Sequence, residues 1–159
     1  MIETWIDELA KTWEISDRRF GTVRSYRLIE RADFPSSIDA ATLSANPVAL
    51  TIPGWLRPEY SLGGPKIGFY SGVTEFHVAP SIDKGLLPSL FPWYGVILQA
   101  AAARMKLNGT VEHFLIDMDR EDAIAGPLGL KYGAEEMHWG FLVHWKVKER
   151  LDGQLTVSA

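Results

Sequence analysis

The segment Met137–Lys148 constrains the fold most, because large apolar side chains occupy every second position along it. The six residues of this apolar face are Met137, Trp139, Phe141, Val143, Trp145 and Val147. The positions between them carry histidine, glycine, leucine and lysine. Successive side chains of a β-strand point to opposite faces of the sheet. The pattern therefore predicts a long strand in a sheet that is covered on one face.

Two segments have the apolar spacing of amphipathic helices. Ile2–Trp13 places apolar residues at helical intervals with acidic and basic residues between them. A second helix is predicted from Ser89 to Leu107, with Met105 on its apolar face. It should end at Asn108-Gly109, because glycine adopts the left-handed conformation after a helix at little cost.

The remaining apolar runs favour strands. They are Thr22–Arg31, Val48–Ile52, Ile67–Ala79, Val111–Met118 and Leu128–Tyr132. The apolar side of Ile67–Ala79 changes near Gly72, which predicts a bulge or bend there. Together with the helices, these strands predict an α+β fold, an antiparallel or mixed β-sheet with two main helices packed on one face.

Composition narrows the class of protein. The chain has 159 residues, 47% of them hydrophobic and 23% charged, which predicts one domain over residues 1–159 with a loose tail at 152–159. It contains no cysteine, so thiol chemistry and cysteine-bound zinc are excluded. The net charge of −4 disfavours a surface for nucleic acid or anionic membrane. Met1–Glu8 is acidic where a signal peptide is basic, and we expect a soluble intracellular protein without a membrane span.

The titratable residues form no recognisable catalytic motif. Asp117-Met118-Asp119, with Asp122 nearby, offers oxygen ligands for a divalent cation, but acidic residues at a strand end are more often a solvated turn. His138 and His144 lie six residues apart on one strand, too far to share a metal ion. A histidine site could still form across neighbouring strands, but solvated or edge histidines are the favoured interpretation. We expect no metal and no cofactor.

Two groups of residues suggest contacts with other proteins. The glycine- and proline-rich segment Pro53–Lys66 is predicted to be a long loop, and it carries Trp55, Arg57 and Tyr60. Aromatic and arginine side chains on an ordered loop are typical of protein interfaces, although Trp55 could equally fold back onto its own domain. Arg24 and Arg27 crowd a predicted edge strand, and we expect them to contact a partner too.

The order of elements resembles a known family. An N-terminal helix, a long central hairpin, one long helix ending in Met105–Val111 and a closing strand at His138–Val147 resemble the tail terminator (tail-completion) proteins of long-tailed bacteriophages and the related head–tail joining proteins. The resemblance implies a non-enzymatic virion protein, assembled in the host cytoplasm into a homo-hexameric ring that caps the tail tube and joins it to the head connector. DNA would pass through its lumen only as cargo, which an acidic chain suits.

An alternative hypothesis is a small-ligand binding protein or enzyme. Its pocket would lie between the sheet and the helices. His77, His113 and Asp117 would have to converge across neighbouring strands, with one of them buried and its pKa displaced. A regulatory adaptor that uses the same aromatic segment is a third hypothesis, and sequence alone does not separate it from the first.

Overall fold

A computed structural model of the chain describes residues 2–28, 47–61, 64–79, 84–132 and 136–150. The predicted tail at 152–159 and residues 29–31 of the predicted strand Thr22–Arg31 lie outside the described residues. The predicted α+β class is confirmed, with eight strands and two main helices among the described residues.

In the described residues, one helix precedes the first five strands and two helices precede the last three. The helices are α1 (Ile2–Thr12), the short α2 (Leu87–Leu90), which a 3₁₀ turn at Lys84–Leu86 precedes, and α3 (Trp93–Ala103). The strands are β1 (Ser16–Asp17), β2 (Gly21–Thr22), β3 (Arg24–Arg27), β4 (Val48–Ser61), β5 (Gly64–Ala79), β6 (His113–Ile116), β7 (Ile124–Tyr132) and β8 (Glu136–Arg150).

Six of these strands form the main sheet, in the order β3-β4-β5-β8-β6, with β7 also paired to β8. Only β3 and β4 run parallel, and the other pairs are antiparallel, so the sheet is mixed. The outer edge of β8 is shared, because β6 pairs with residues 145–148 and β7 with residues 136–143. β1 and β2 form a separate small hairpin.

The core lies between one face of the sheet and the helices α1 and α3. Trp5 of α1 and Trp13, which directly follows α1, are fully buried in one cluster with the alternating apolar face predicted for β8. Trp93 and Ile97 of α3 join the same cluster. The indole of Trp5 contacts Trp145 edge-on, with ring centroids 6.0 Å apart. The prediction that both main helices pack on one face is therefore confirmed.

The predicted loop at Pro53–Lys66 is wrong, because β4 and β5 form one long hairpin. Pairing continues from Val48 opposite His77 to Ser61 opposite Gly64. The prolines and glycines of this segment suggested a loop, but proline is compatible with a strand whose outer edge is unpaired.

The irregularity expected near Gly72 lies in the strand beside it. Pro53 pairs with Gly72 and Leu56 with Tyr70, so β4 has an extra residue there, while β5 pairs regularly with β8 through Gly72. A Cβ atom on Gly72 would lie 2.4 Å from the Cζ2 atom of Trp145. Glycine is therefore required here to admit the Trp145 indole.

The predicted helix Ser89–Leu107 is shorter than expected. α3 begins at Trp93 and ends at Ala103, where Arg104 leaves the helical conformation and its guanidinium binds the carboxylate of Glu8. Gly109 has the expected positive φ of 79°, but it closes an irregular segment beyond the helix. Met105 is consequently 45% exposed instead of buried.

Candidate functional site

The aromatic segment predicted to contact a partner lies in an open strand edge. β3 covers β4 only from Val48 to Thr51. Within the described ranges, no strand pairs with the outer edge of residues 52–61 of β4. Trp55, Arg57 and Tyr60 belong to this edge, although the side chains of residues 55–60 lie outside the described part of the structure. An unpaired edge offers backbone donors and acceptors to another chain.

The two arginines of β3 have different environments. Arg27 is half exposed and its Nε lies 3.2 Å from Oδ1 of Asp7 on α1. Arg24 lies in register with Val48, which in turn pairs with His77. Its Nε and Nη2 atoms are buried and have no hydrogen-bond partner among the described residues. These two nitrogens form one side of the guanidinium fork that carboxylates and phosphates bind.

The outer surface of α3 carries no charge. Its sequence from Trp93 to Ala103 contains no ionisable side chain other than Tyr94. A groove of about 330 Å³ separates α3 from β6. Four of the large apolar side chains that are exposed on the described surface line it: Leu98, Met105, Leu115 and Met118, at 45, 45, 40 and 76% exposure. Exposed apolar surface of this kind marks an interaction site more often than a scattered leucine does.

Contrary to the expectation from the sequence, the helical stretch at 84–103 is apolar and long enough to qualify as a membrane span by length and composition. In the structure it consists of a 3₁₀ turn and two helices, with Phe91-Pro92 between the helices. One side of the stretch packs into the core through Leu90, Trp93 and Ile97.

A buried polar chain lies on the sheet face opposite the helices. Nε2 of His77 is 3.1 Å from Oε1 of Glu75, and Nδ1 of His77 is 3.1 Å from Nδ1 of His138. All three residues are less than a tenth exposed. When Glu75 is ionised and His77 is neutral, Glu75 accepts the Nε2–H of His77, so Nδ1 of His77 accepts the Nδ1–H of His138. Burial, with a smaller contribution from His77, lowers the pKa of His138 to about 4.

The expectation of solvated histidines is therefore wrong for His77 and His138. Neither residue stands out in the sequence, because strand alternation places His138 on the supposedly solvated face of β8. The strand register brings them together, since His77 pairs with Gly140, two residues from His138. In the described part of the chain, no group of three histidine, aspartate or glutamate side chains could hold a metal ion.

The trio expected of an enzyme does not converge. His77 lies opposite Gly140 of β8, whereas His113 lies opposite Lys148. These positions are eight residues apart, about 27 Å along the strand. Asp117 joins neither His77 nor His113. Its carboxylate binds the ammonium of Lys146 instead, at 3.1 Å.

The acidic turn after β6 is engaged by basic side chains. Lys146 binds both Asp117 and Asp119, and its hydrogen bond lowers the pKa of Asp119. Arg120 forms two hydrogen bonds with Asp122 and lowers the pKa of that carboxyl too. These pairs support the interpretation of a solvated turn over a cation site.

Aromatic rings fill the space between the sheet and the helices. Ring centroids are 4.9 Å apart for Trp5 and Tyr70, 5.2 Å for Trp13 and Phe76, and 4.2 Å for the stacked rings of Phe20 and Trp93. A cleft of about 360 Å³ remains at the end of this layer, beside Arg19, Phe20 and Ser89. It is open to solvent and the guanidinium of Arg19 already binds Asp17. The layer between sheet and helices is thus mainly packed core.

The chain matches no protein-family model and no characterised protein. The resemblance to tail terminator proteins accordingly rests on the order and size of the elements.

Proposed function

We propose that this protein is a non-enzymatic virion assembly protein, a ring-forming tail terminator or head–tail joining protein of a long-tailed bacteriophage. In this role it caps the tail tube as a homo-oligomeric ring, with six subunits expected from the family it resembles, and meets the tube and the head connector. Two observations together carry the proposal. Within the described residues, the outer edge of β4 beyond β3 has no partner strand, and α3 and β6 share a surface of exposed apolar side chains.

The second half of β4 supports association because, within the described residues, a long stretch of its outer edge has no partner strand. Ten residues, 52–61, extend past the end of β3. Natural edge strands are normally short, charged or covered, since a long bare edge pairs with other chains. Its charges are Arg57 and Glu59, one of each sign, so the edge has no net charge to repel a neighbour.

The surface of α3 supports association for a second reason. A helix that is apolar on all sides is normally buried on all sides. α3 is buried through Trp93, Val96, Ile97 and Ala101, yet Leu98 and Gln99 on its other side are exposed. A partner that covers this side would remove apolar surface from water, at about 25 cal/mol per Å².

A ring requires a heterologous interface, in which one patch of a subunit meets a different patch of the next. The open β4 edge and the α3–β6 surface are two such patches, at opposite sides of the main sheet. A net charge of −4 per subunit suits a ring through which DNA slides, because phosphates do not adhere to an acidic lumen.

The test is the mass and shape of the purified protein. Light scattering is measured over a concentration series, alone and with tail tube protein, and particles are viewed by electron microscopy. Rings of constant subunit number are the expected result. A strict monomer under both conditions, at the highest concentration reached, would contradict the proposal.

A ligand-binding protein or enzyme is the second candidate, and the buried Glu75–His77–His138 chain is the observation in its favour. A hydrogen-bonded carboxylate and two imidazoles can move a proton. A thermal-shift screen with small metabolites tests this candidate, with His138→Gln as the matched variant. A ligand that stabilises the natural protein but not the variant would favour it over the assembly role.

A further inference from the structure

The outer side of α2 and α3 carries a row of exposed apolar residues. Phe91 and Pro92, between the two helices, have right-handed helical φ and ψ angles, so the backbone continues from α2 into α3. Four exposed residues recur along it at intervals of four, three and four positions: Phe91, Gly95, Leu98 and Ala102. We call these four residues the helix seam. Their spacing is the one by which two α-helices pack along their length.

Large and small residues alternate along the helix seam. Phe91 is 54% and Leu98 is 45% exposed, and each is followed in the seam by a small residue. A Cβ atom on Gly95 would meet nothing within 4 Å beyond its own helix. Glycine inside a helix is destabilising relative to alanine, and no neighbour in the described chain requires it here. The hollow at Gly95 therefore suits the close approach of another helix.

We propose that the helix seam packs against the same seam of a second copy, antiparallel, about a two-fold axis halfway along it. Leu98 of each copy then lies level with Gly95 of the other, because both residues are equally distant from the axis. Phe91 lies level with Ala102 for the same reason. Every level of the contact thus joins one large and one small side chain, as close packing requires.

A parallel arrangement of the same two seams fits less well. It would place Leu98 level with Leu98 and Gly95 level with Gly95. Two large side chains would then meet at one level and leave a void at the next, and both defects are destabilising. The alternation of side-chain size therefore selects the antiparallel pair.

Charge also favours a second copy as the occupant. Between Gly85 and Ala103 the only ionisable side chain is that of Tyr94. Two such surfaces bury no charge against each other, whereas a charged partner would lose hydration and find no counter-charge on the seam. Burial of the exposed Phe91 and Leu98 side chains provides the association energy.

This contact goes beyond the proposed ring. A two-fold contact uses the same surface on both copies and closes after two subunits. The pair and the ring would share the surface of α3, so the pair is the form of the free subunit and it separates before the ring forms. An uncharged lipid surface is the alternative occupant, and the experiment distinguishes it from a second copy.

Gly95→Leu tests the proposal, because it makes the seam more apolar and also fills the hollow that Leu98 of the other copy enters. Sedimentation equilibrium of the purified protein, without tail tube protein, should show dimers that this variant weakens about tenfold or more. Ala103→Leu is the matched control, since it adds the same side chain at an exposed position about 140° around α3 from Leu98. The control should leave the dimer unchanged.

The lipid alternative predicts the opposite response to Gly95→Leu. A surface that recognises only apolar area binds more strongly after this substitution. A monomeric natural protein that floats with phosphatidylcholine vesicles, and floats better as Gly95→Leu, would overturn the proposal. Equal effects of Gly95→Leu and Ala103→Leu on the dimer would overturn it too.

Disulfide formation tests the direction of the pair, because the natural chain has no cysteine. A Phe91→Cys chain is mixed with an Ala102→Cys chain that carries a size tag. The two cysteines lie level in the antiparallel pair, and a disulfide forms when Cα atoms come within about 7 Å. Two Phe91→Cys chains keep their cysteines about 16 Å apart along the helices, at a rise of about 1.5 Å per residue.

Mixed disulfides should therefore exceed those between two Phe91→Cys chains, and the reverse preference would overturn the antiparallel pair. The outcome is separable from that of the ring proposal. Rings that assemble from a protein with no dimer, and equally well as Gly95→Leu, would refute the pair and leave the ring standing. A dimer that Gly95→Leu dissociates, with no ring after tail tube protein is added, would uphold the pair and refute the ring.

Discussion

The buried Glu75–His77–His138 chain predicts a specific loss of stability in acid. The pKa of His138 is lowered from its ordinary value of 6.5 to about 4 in the folded protein. As the pH falls from 6.5 to 4, His138 becomes protonated in the unfolded chain while it stays largely neutral in the folded chain. The contribution of His138 to stability is therefore complete above pH 6.5 and is lost progressively down to pH 4.

The size of this loss follows from the two pKa values. Each pKa unit corresponds to about 1.4 kcal/mol. Between pH 7.5 and pH 4.5 the unfolded state should gain about 2 to 3 kcal/mol over the folded state from this one group. A protein with a typical total stability of about 5 to 15 kcal/mol would lose a substantial fraction of it.

The assay is urea denaturation at several pH values, for the natural protein and for His138→Gln. Glutamine keeps an amide that can donate to Nδ1 of His77 but does not titrate. Carboxylates such as Glu8, whose pKa is lowered chiefly by its hydrogen bond with Arg104, contribute a similar acid slope to both proteins. The difference between the two pH dependences of stability therefore reports the contribution of His138. Over this pH range it corresponds to a difference of roughly 1 M in the urea midpoint.

Parallel slopes for the two proteins would refute this reasoning. A direct measurement is also decisive, because NMR of the imidazole signals reports the pKa of His138 in the folded chain. A value near 6.5 would show that His138 is solvated, and it would remove the buried chain as a candidate proton pathway.

Three further variants test the packing and the role of β3. Gly72→Ala should cost about 1 to 3 kcal/mol, because its Cβ would collide with the Trp145 ring, whereas Gly95→Ala meets no atom within 4 Å and should stabilise α3 by about 0.5 to 1 kcal/mol. Urea denaturation of both variants checks the opposite signs, and equal effects would contradict them. Arg24→Met removes two buried nitrogens that have no partner in the described part of the chain, and it should stabilise the isolated subunit by about 1 kcal/mol. If Arg24 also contacts a partner, the same variant should weaken ring formation in the light-scattering assay, and a destabilised subunit would show instead that Arg24 is paired within its own chain.

Periodic segments were predictable because their pattern reports burial directly. The bounds predicted from the alternation in β8 and from the apolar spacing of α1 agree with the observed bounds to within a residue or two. The prediction for Pro53–Lys66 was wrong because proline and glycine report only the local conformational preferences of the backbone. They do not reveal whether a neighbouring strand is available for pairing, and the long pairing between β4 and β5 depends on such a neighbour.

Of the candidate sites, one was suggested by composition and the other depends on tertiary packing. The suggestion that Trp55, Arg57 and Tyr60 share an exposed segment came from composition, and the structure places all three in one strand edge, where their role as contacts stays a prediction. The groove was not foreseen, because Leu98 and Met105 belong to a helix but meet Leu115 and Met118 only after α3 has packed beside β6.

By itself, the sequence determined the α+β class, the covered sheet face and the absence of thiol chemistry, since these depend on residue types and on the period of apolar positions. Tertiary structure decided which histidines meet, where Trp145 requires a glycine, and which strand edge and helix surface remain open. Each of these depends on the register between strands that are distant in the chain. A shift of one residue in that register would turn His77 towards the core and leave His138 without its partner, although every residue would be the same.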